Sequence, residues 1–586
     1  MAGQDFTTRS QSIADVNFNG GLNTTAGPLS LQDNEASDLL NIDFNKFGSI
    51  LKRNGYSALN TSAISGSPTS DGLWWYEYLN SGTYNSYLVN ITNAKAYQMS
   101  GLNGTWNDVT GSTTITAGSQ CCFENFLNNV YVTNSTDAPF FWGGSGNFAK
   151  MPALVQNTYC FKVSGISVAP AVGDTYTNNS ITYTISYVNL TNGAGSLLAT
   201  GSGIPTTSGT LVRASGSGDA NITFTASYAN QDIAKAKCVR QYSNYLFLGN
   251  VVTSSFYYRS RIYWSNLKDD MVWLGTSYID ISKDDGQEIK NMMVMGDRLV
   301  VFKDRAIYNV FFSGNADIPF YVQKSNSAVG CIAPQSIQEI ENGLVFLSYD
   351  GFYYYDGNNS YKLSWKIQNT LLGMNQTRFY QGVSMRQKNK NRYFCSLPSN
   401  GQSNNDTILV WDWKLDAWSI YNGMNAASMA TVYNSITDER VYFGDYAGFV
   451  YRLDNGVDDY PLNVQTAINA YYYTNWKSFD DIVDQKGVPN AVIYYQNNNA
   501  TITLVNAYDF DTSDTYTQTF YTGTSSSLYG SALYGTGTYA SVGGAQQRRD
   551  LDGRGRVVRF GFKNSALSET FQIDGLGSYA HLETNV

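Results

Sequence analysis

The sequence predicts an all-β protein built around a β-propeller of about seven units, with six or eight units as close alternatives. Aromatic residues make up 15% of the chain, with 45 Tyr against one His, and aromatic and β-branched residues favour pleated strands. Ser, Thr, Asn and Gly are abundant and long periodic helices are nearly absent, which is typical of all-β folds with many turns. The third observation is a hairpin pattern that recurs along the chain.

The repeat is clearest in the two hairpins within residues 293–358. Each has an apolar run, a polar turn with Asp, and a second run rich in aromatic residues, which predicts a β-hairpin. Counterparts recur from Trp74 to Asp454 in steps of 42 to 53 residues, with one outlying step of 116. A period of about 40–50 residues made of strands is typical of β-propellers, and a β-sandwich with chance hairpins is the alternative. One apolar residue marks each hairpin: Leu88, Val130, Leu246, Leu299, Val345, Phe394 and Tyr442.

The outlying step contains a segment of different composition, residues 162–233. Removing its 72 residues reduces the step to 44. Thr and Ser alternate in this segment with Ile, Tyr and Phe, which is the period-two pattern of small, half-exposed strands. We therefore expect an inserted β module that projects away from the propeller body. Its flanks, Phe161 and Ala234, must then lie close together for the propeller to continue.

The N-terminal part of the chain differs from the repeats. Residues 1–70 are predicted to form an arm and docking segment, with the first 15 residues either unfixed or ordered by a partner. Asp33 is placed to cap a short helix that ends at Leu40. The propeller is expected over residues 71–461.

After Pro461 the repeat stops. Longer strand candidates without a period predict a C-terminal β-sandwich of jelly-roll type over residues 462–586. Residues 525–544, rich in Gly, Ser and Tyr, form a predicted long loop that orders against a partner.

Composition and motifs disfavour an enzyme. The single His, His581, leaves no basis for most Ser/His/Asp, Cys/His or His-ligated metal sites. The six Cys lack C-x-x-C spacing, so neither a zinc site nor a disulfide framework is indicated, and no cofactor is expected. The first thirty residues lack a basic region followed by an apolar one, and no apolar stretch is long enough to span a membrane, so we expect a soluble protein without stable membrane insertion. Adjacent carboxylates that could support glycoside hydrolysis in a cleft, but are more typical of solvated turns, are Asp269/Asp270, Asp284/Asp285 and Asp480/Asp481.

The charge distribution offers one candidate contact surface. The net charge of −9 argues against a free DNA-wrapping protein, which would normally be basic. One basic cluster near the C-terminus could contact nucleic-acid phosphates or an acidic partner, and a charged strand-and-loop face is the simpler alternative. The cluster consists of Arg548, Arg549, Arg554, Arg556 and Arg559.

Several passages resemble the tail hub or nozzle proteins of short-tailed bacteriophages, a family also called the packaged-DNA stabilisation proteins. The N-terminal passage opens with Gly-Gly-Leu-Asn-Thr and closes with Lys-Arg-Asn-Gly-Tyr. Together the passages cover about half of the chain, and none contains a catalytic motif. They are residues 17–56, 296–308, 323–334, 343–354 and 556–576.

The resemblance implies a structural protein of the virion tail that assembles in the host cytoplasm as a homo-oligomeric ring, usually a hexamer. Such a ring lies below the portal and its adaptor, extends the DNA channel, helps retain packaged DNA and carries the distal needle or fibres. The implied partners are head-to-tail connector or adaptor proteins, tail fibre or needle proteins and, transiently, the genomic DNA during ejection. Residues 162–233 have no clear counterpart in the family, and we expect them at the distal tip of the nozzle, with a dock for the fibres as the alternative.

Two other functions remain open at the level of the sequence. The first is a carbohydrate-binding or depolymerase tail component that acts in host-receptor recognition, for which glycan binding by isolated subunits would be the sign. The second is a bacterial surface adhesin, which needs export, and the N-terminus offers no route. For the ring, an acidic channel wall would repel phosphate and let DNA slide.

Overall fold

The described residues contain seven four-stranded antiparallel sheets, numbered here in chain order. The computed structural model describes residues 10–80, 82–435, 438–523 and 544–583. In sheets 1 to 6 the strands pair in the order in which they occur in the sequence. Sheet 7 instead takes its fourth strand, Ser57–Ala58, from the N-terminal segment, and this strand pairs with Val450–Arg452. The seven sheets confirm the predicted all-β propeller class and its count of seven units.

The strands of the seven sheets have between two and eleven residues. Sheet 1 comprises Ser70–Asn80, Thr83–Thr92, Lys95–Ser100 and Asn107–Asp108. Sheet 2 comprises Cys122–Phe126, Asn129–Thr133, Phe140–Trp142 and Ala149–Lys150. Sheet 3 comprises Lys235–Tyr242, Tyr245–Val252, Tyr257–Trp264 and Tyr278–Asp280. Sheet 4 comprises Ile289–Met295, Arg298–Lys303, Ile307–Phe312 and Phe320–Lys324.

The remaining three sheets follow in the same way. Sheet 5 comprises Gln338–Ile340, Gly343–Ser348, Gly351–Tyr355 and Ser360–Lys362. Sheet 6 comprises Val383–Gln387, Arg392–Leu397, Thr407–Asp412 and Ala417–Asn422. Sheet 7 comprises Ser428–Ser435, Asp438–Gly444, Val450–Arg452 and Ser57–Ala58.

All seven sequence markers lie on the second strand of their sheet, and all are buried. A second strand has a paired strand on each side and packed neighbours on its faces, so it has the least interrupted apolar run. This is why the repeat is visible in the sequence while the shorter outer strands are not. The first strands of sheets 1, 2, 3 and 4 contact one another in succession, as do those of sheets 6 and 7.

The chain divides into two compact units. One unit is residues 64–361, which hold sheets 1 to 5 and the insertion. The other combines residues 1–63 with residues 362–586, which hold sheets 6 and 7 and the C-terminal sheets.

The insertion is a closed six-stranded barrel between sheets 2 and 3. Alternate residues of its first strand, Tyr159, Phe161 and Val163, point into an apolar core of its own. Its two ends adjoin, because the Asn230 N–H donates to the Thr158 carbonyl oxygen at 3.0 Å. Its strands are Thr158–Val163, Thr175–Asn178, Ile181–Thr191, Ala194–Gly201, Gly209–Ser215 and Asn221–Ala229.

The barrel differs from the expected module in its bounds and in its attachment. Its strands run over 158–229 instead of 162–233, and its first strand packs against the rest of the unit. Cys160 and Leu198 belong to the same buried cluster as the core of sheet 3, and Lys162 forms an ion pair with Asp269. The first strand of the barrel is buried on both faces, because one face lies in the barrel core and the other in the core shared with sheet 3. Its sequence is therefore as apolar as that of a propeller strand.

Two larger sheets occupy the unit that contains both chain ends, together with a parallel pair formed by Gly21–Leu22 and Glu35–Ala36. The wide sheet has the order Gly544–Asp550, Gln485–Gln496, Gln572–Glu583, Ile50–Lys52, Ile42–Phe44, with Ser10–Asp15 also paired to Gln572–Glu583 and Arg554–Gly555 to Gln485–Gln496. The narrow sheet has the order Asp38–Leu40, Ala470–Tyr473, Val558–Asn564, Thr501–Tyr508, Tyr516–Tyr521. The Tyr495 and Phe520 rings of the two sheets lie 5.9 Å apart. Of the predicted loop 525–544, residues 525–543 lie outside the described residues.

The N-terminal segment, predicted to be a separate arm, contributes strands to both of these sheets. Four of its strands are only three to six residues long, which is too short for a periodic pattern to reveal them. The predicted helix from Asp33 to Leu40 is wrong. This stretch contains the strands Glu35–Ala36 and Asp38–Leu40, the second of which pairs with Tyr471–Tyr473. Pairing with distant strands here outweighs the local capping signal.

Helices are few and short in the part of the chain that the structure describes. One α-helix occurs there, Gln368–Leu372, and no described helix has the length and apolar character needed to cross a membrane. The 3-10 helices are Pro152–Leu154, Lys283–Asp285, Gln376–Gln381, Lys388–Lys390 and Pro461–Asn463.

Candidate functional surfaces

The five arginines predicted as one contact surface do not share one environment. Arg548 and Arg549 are neighbours on the edge strand of the wide sheet, so their side chains point to opposite faces. Arg548 is exposed and lies 3.9 Å from Asp550, whereas Arg549 lies over the Phe520 ring at 5.5 Å. Arg554 is exposed. The guanidinium of the exposed Arg556 donates to the Val483 carbonyl oxygen at 3.1 Å.

Arg559 belongs to the interior and not to this surface. It is buried on the narrow sheet, with its guanidinium 4.3 Å from the Tyr473 ring and 5.0 Å from the Trp476 ring. Burial lowers the pKa of Arg559, and Tyr473 and Asp38 oppose this effect. A side chain in this position holds strands together and does not meet a partner. Arg559 is buried because its strand, Val558–Asn564, has a paired strand on each side. The sequence does not show this pairing, so the spacing of the five arginines could not distinguish Arg559 from the exposed ones.

The close of the N-terminal passage, Lys-Arg-Asn-Gly-Tyr, folds into a buried junction. Arg53 is 1% exposed and donates to both carboxylate oxygens of Asp459, at 2.8 and 2.7 Å. Its Nε donates to the Asn41 side-chain oxygen at 2.8 Å, and one Nη donates to the Asn422 carbonyl oxygen at 3.0 Å. Burial raises the pKa of Asp459, and Arg53 opposes this rise. Such a pair holds only when geometry and hydrogen bonds are both complete.

The other residues of the junction are equally enclosed. Lys52 is 2% exposed and donates to the Asn564 side-chain oxygen at 2.7 Å, and burial lowers its pKa to about 8. A Cβ on Gly55 would lie 1.8 Å from the Asp458 carbonyl oxygen, so only glycine fits. The Tyr56 hydroxyl donates to the Gly423 carbonyl oxygen at 2.7 Å. The sequence contains no signal that Lys52 and Arg53 are buried, because Asn564 and Asp459 lie 512 and 406 positions away from them.

A second buried charge links the N-terminal passage to the C-terminal sheets. Lys477 Nζ donates to Asp15 at 2.8 Å and to Asp33 at 2.9 Å. Nearby, the Phe18 and Tyr472 rings meet edge to face at 5.6 Å. An ion pair and a ring contact therefore hold the N-terminal residues to residues 472–477.

The adjacent carboxylates that the sequence analysis considered as catalytic pairs contact different partners in the structure. Asp270 accepts a hydrogen bond from the Tyr131 hydroxyl at 2.5 Å, while its neighbour Asp269 pairs with Lys162. Asp285 pairs with the buried Lys303 at 2.8 Å. Among the residues with described coordinates, no group of three or more His, Cys, Asp or Glu is placed to hold a metal ion.

Comparisons with known proteins add little. No family model and no curated protein matches the chain. A structure of the mitotic checkpoint complex is 8% identical with a TM-score of 0.33, covering 67% of this chain and 92% of that chain. BBS1N in complex with ARL6DN, soaked with lead, is 9% identical with a TM-score of 0.33 (68% and 97%), and the AfRom2 CNH domain is 9% identical with a TM-score of 0.30 (68% and 99%). At these TM-scores, none of the three supports a statement about function.

Proposed function

We propose that this chain is a structural subunit of a short-tailed bacteriophage tail, where copies form a ring that continues the DNA channel below the portal and adaptor. The ring retains the packaged genome, supports the distal tail parts and lets the DNA pass during ejection. The proposal starts from the resemblance of the passages at both chain ends to tail hub or nozzle proteins. It needs no reaction and no cofactor.

The observation that carries the proposal is that the N-terminal and C-terminal passages fold together. Ile50 and Leu51 pair with Ile573 and Gln572, so residues from the first and last tenths of the chain share one sheet. The resemblance therefore concerns residues that specify a fold, including the buried Arg53 junction. A protein whose distant ends are fixed in this way suits a part that transmits load without unfolding.

The exposed arginines Arg548, Arg554 and Arg556 are the candidates for contact with the adaptor or with DNA. They lie on a chain with a net charge of −9, so a local basic patch is a distinct electrostatic feature. Exposed aromatic side chains such as Phe47 and Trp365, at 78% and 63% exposure, are of the type that anchors protein interfaces.

The experiment is to purify the full chain and to measure its mass by light scattering, alone and mixed with the tail adaptor of the same virion, and to image both samples. We expect six-fold rings with the mass of six 64.8-kDa chains, formed by the chain itself or on the adaptor. A chain that stays monomeric in both samples, and that binds or cleaves a capsular polysaccharide, would overturn the proposal in favour of receptor recognition.

The arginine contact can be tested in the same assay. We expect the triple variant R548S/R554S/R556S to fold normally and to dock less tightly on the adaptor, with a weaker dependence on salt. Unchanged docking of this variant would remove the three arginines from the interface. The matched control replaces three other exposed arginines: Arg213, Arg259 and Arg305.

A further inference from the structure

An amine, an amide and a carboxylate stand in series between the wide and the narrow sheet. Lys52 ends the strand Ile50–Lys52 of the wide sheet, and Asn564 ends the strand Val558–Asn564 of the narrow sheet. Lys52 Nζ donates to Asn564 Oδ1 at 2.7 Å, and Asn564 Nδ2 donates to Glu569 Oε2 at 2.7 Å. All three residues lie in the compact unit that contains both chain ends.

The amine and the amide are enclosed. Lys52 is 2% exposed and Asn564 is 4% exposed, and the residues opposite them on the neighbouring strands, Ile42 and Ala470, are fully buried. Lysine is almost never buried to this extent without a paired charge. Among the described residues, however, Lys52 Nζ bonds only to Asn564 Oδ1 and, at 3.3 Å, to the Ala566 carbonyl oxygen.

The enclosed amine is suited to act as a nucleophile. Burial lowers the pKa of Lys52 to about 8, so about half of the side chain is an uncharged amine at pH 8. An amine attacks a carbonyl carbon only in its uncharged form. A nitrogen at 2.7 Å from the amide oxygen lies about 3.0–3.5 Å from the amide carbon, which is the separation of a near-attack arrangement.

The carboxylate is placed at the other end of the same amide. Glu569 Oε2 also accepts from the Thr501 N–H at 2.8 Å, and Asn564 Nδ2 also donates to the Thr501 carbonyl oxygen at 2.8 Å. These bonds orient the amide so that its oxygen faces Lys52 and its nitrogen faces Glu569. A carboxylate at hydrogen-bond distance from a leaving nitrogen can carry a proton to it.

We propose that Lys52 and Asn564 join through an intramolecular isopeptide bond, with Glu569 as the proton carrier. The uncharged Lys52 Nζ attacks Asn564 Cγ, so that an Nζ–Cγ bond forms and the Cγ–Nδ2 bond breaks. Glu569 takes one proton from Nζ and passes it to Nδ2, which leaves as ammonia with the electron pair of the broken bond. Glu569 ends in its starting state, and the step needs no oxidant, reductant or cofactor.

The bond links the wide sheet to the narrow sheet covalently. The alternative is a buried lysine that is held by hydrogen bonds alone, which accounts for the contact between Lys52 and Asn564. It does not account for the uncompensated burial of an amine beside an amide whose nitrogen is held against a carboxylate.

The bond goes beyond the proposed function and does not depend on ring formation, because all its residues lie in one chain. Ring formation is measured by light scattering and the bond by mass. The failure of one proposal is therefore distinguishable from the failure of the other.

The test is mass spectrometry of the full-length chain, intact and after digestion with trypsin. We expect the intact mass to be lower than that of the sequence by about 17 Da, the mass of the ammonia released. Trypsin does not cut after a lysine whose amine is part of an amide, so the digest should contain residues 47–53 linked to residues 564–586. Closure of an asparagine to a succinimide also releases ammonia, and it leaves these two peptides separate.

The variants Lys52→Met and Asn564→Ala should each abolish the linked peptide. Glu569→Gln should slow bond formation by about 10²-fold or more, because proton transfer by a positioned side chain supplies at least this factor. The matched control is Lys486→Met, which removes another lysine that is 2% exposed. Lys486 Nζ bonds only to backbone carbonyl oxygens, so this variant should keep the linked peptide.

Circular dichroism of each variant confirms that it is folded, and the measurement on the unchanged chain needs no variant. Separate peptides for residues 52 and 564 in the unchanged chain would overturn the proposal, as would a mass deficit that persists in Lys52→Met. Complete linkage in freshly purified Glu569→Gln would overturn the role of Glu569.

Discussion

Replacing Arg53 by Met should destabilise the unit that contains both chain ends by about 3–5 kcal/mol, the usual cost of leaving a buried charge without its partner. Arg53 makes two short bonds to Asp459 and further bonds to Asn41 and Asn422. Methionine fills much of the same volume, so the loss reflects the unpaired Asp459 carboxylate and the freed acceptors instead of a cavity.

The pH dependence gives this prediction its specific signature. Burial already raises the pKa of Asp459, and Arg53 opposes that rise, so the pKa rises further in Arg53→Met. A carboxyl whose folded-state pKa exceeds its unfolded value of about 3.9 loses stability as pH rises between the two values. The penalty should therefore shrink as pH falls toward 4, and the double variant R53M/D459L should lack this dependence.

The assay is urea unfolding followed by tryptophan fluorescence between pH 4 and pH 8, with each transition fitted separately because the chain has two units. The matched control is Arg548→Met, which removes an arginine that is 63% exposed and should cost less than about 0.5 kcal/mol. A loss below about 1 kcal/mol for Arg53→Met, or a loss independent of pH, would refute the account of the junction.

Three further predictions concern other buried groups. Gly55→Ala should lower the free energy of unfolding in urea by more than about 3 kcal/mol, because the new Cβ would lie 1.8 Å from the Asp458 carbonyl oxygen. The control Gly27→Ala should be near neutral, because the nearest atom to its Cβ lies 3.6 Å away. Equal losses of stability in the two variants would contradict the steric reason. Burial raises the pKa of Asp71 to about 6, so the contribution of Asp71 to stability falls as pH rises from about 4 to about 6. Asp71→Asn should remove that fall and raise the free energy of unfolding at pH 8 by up to about 2 kcal/mol. An unchanged dependence of stability on pH would contradict this prediction. Three buried cysteines should resist iodoacetamide at pH 8 in the folded chain and react once it is unfolded, because burial raises the pKa of their thiols: Cys121, Cys160 and Cys331. Rapid labelling of any of the three in the folded chain would count against this.

The propeller was predictable because each four-stranded sheet has one strand with a recognisable sequence pattern. The second strands carry uninterrupted apolar runs, and markers such as Leu299 and Val345 repeat at the spacing of whole sheets. The barrel was visible from its change in composition, but its first strand was assigned to the propeller, because Cys160 and Phe161 point to two different cores.

The candidate sites depended on contacts that the sequence does not encode locally. Arg559 looked like part of a basic surface, yet the strands beside it enclose it. Arg53 pairs with a carboxylate that lies 406 positions away in the sequence. A helix was expected after Asp33 because capping residues act locally, whereas the pairing of Asp38–Leu40 with Tyr471–Tyr473 is settled only in the folded chain.

The strand Ser57–Ala58, which completes sheet 7, has a consequence for the order of events on the ribosome. It is made early, yet its partner Val450–Arg452 is made last among the propeller strands. At a synthesis rate of about 5–20 residues per second, the strand waits about 20–80 s for that partner. The strands Ser10–Asp15 and Ile50–Lys52 wait longer still, for Gln572–Glu583. A prematurely terminated chain therefore leaves Ser10–Asp15 and Ser57–Ala58 without their partner strands, and unpaired strand edges favour aggregation.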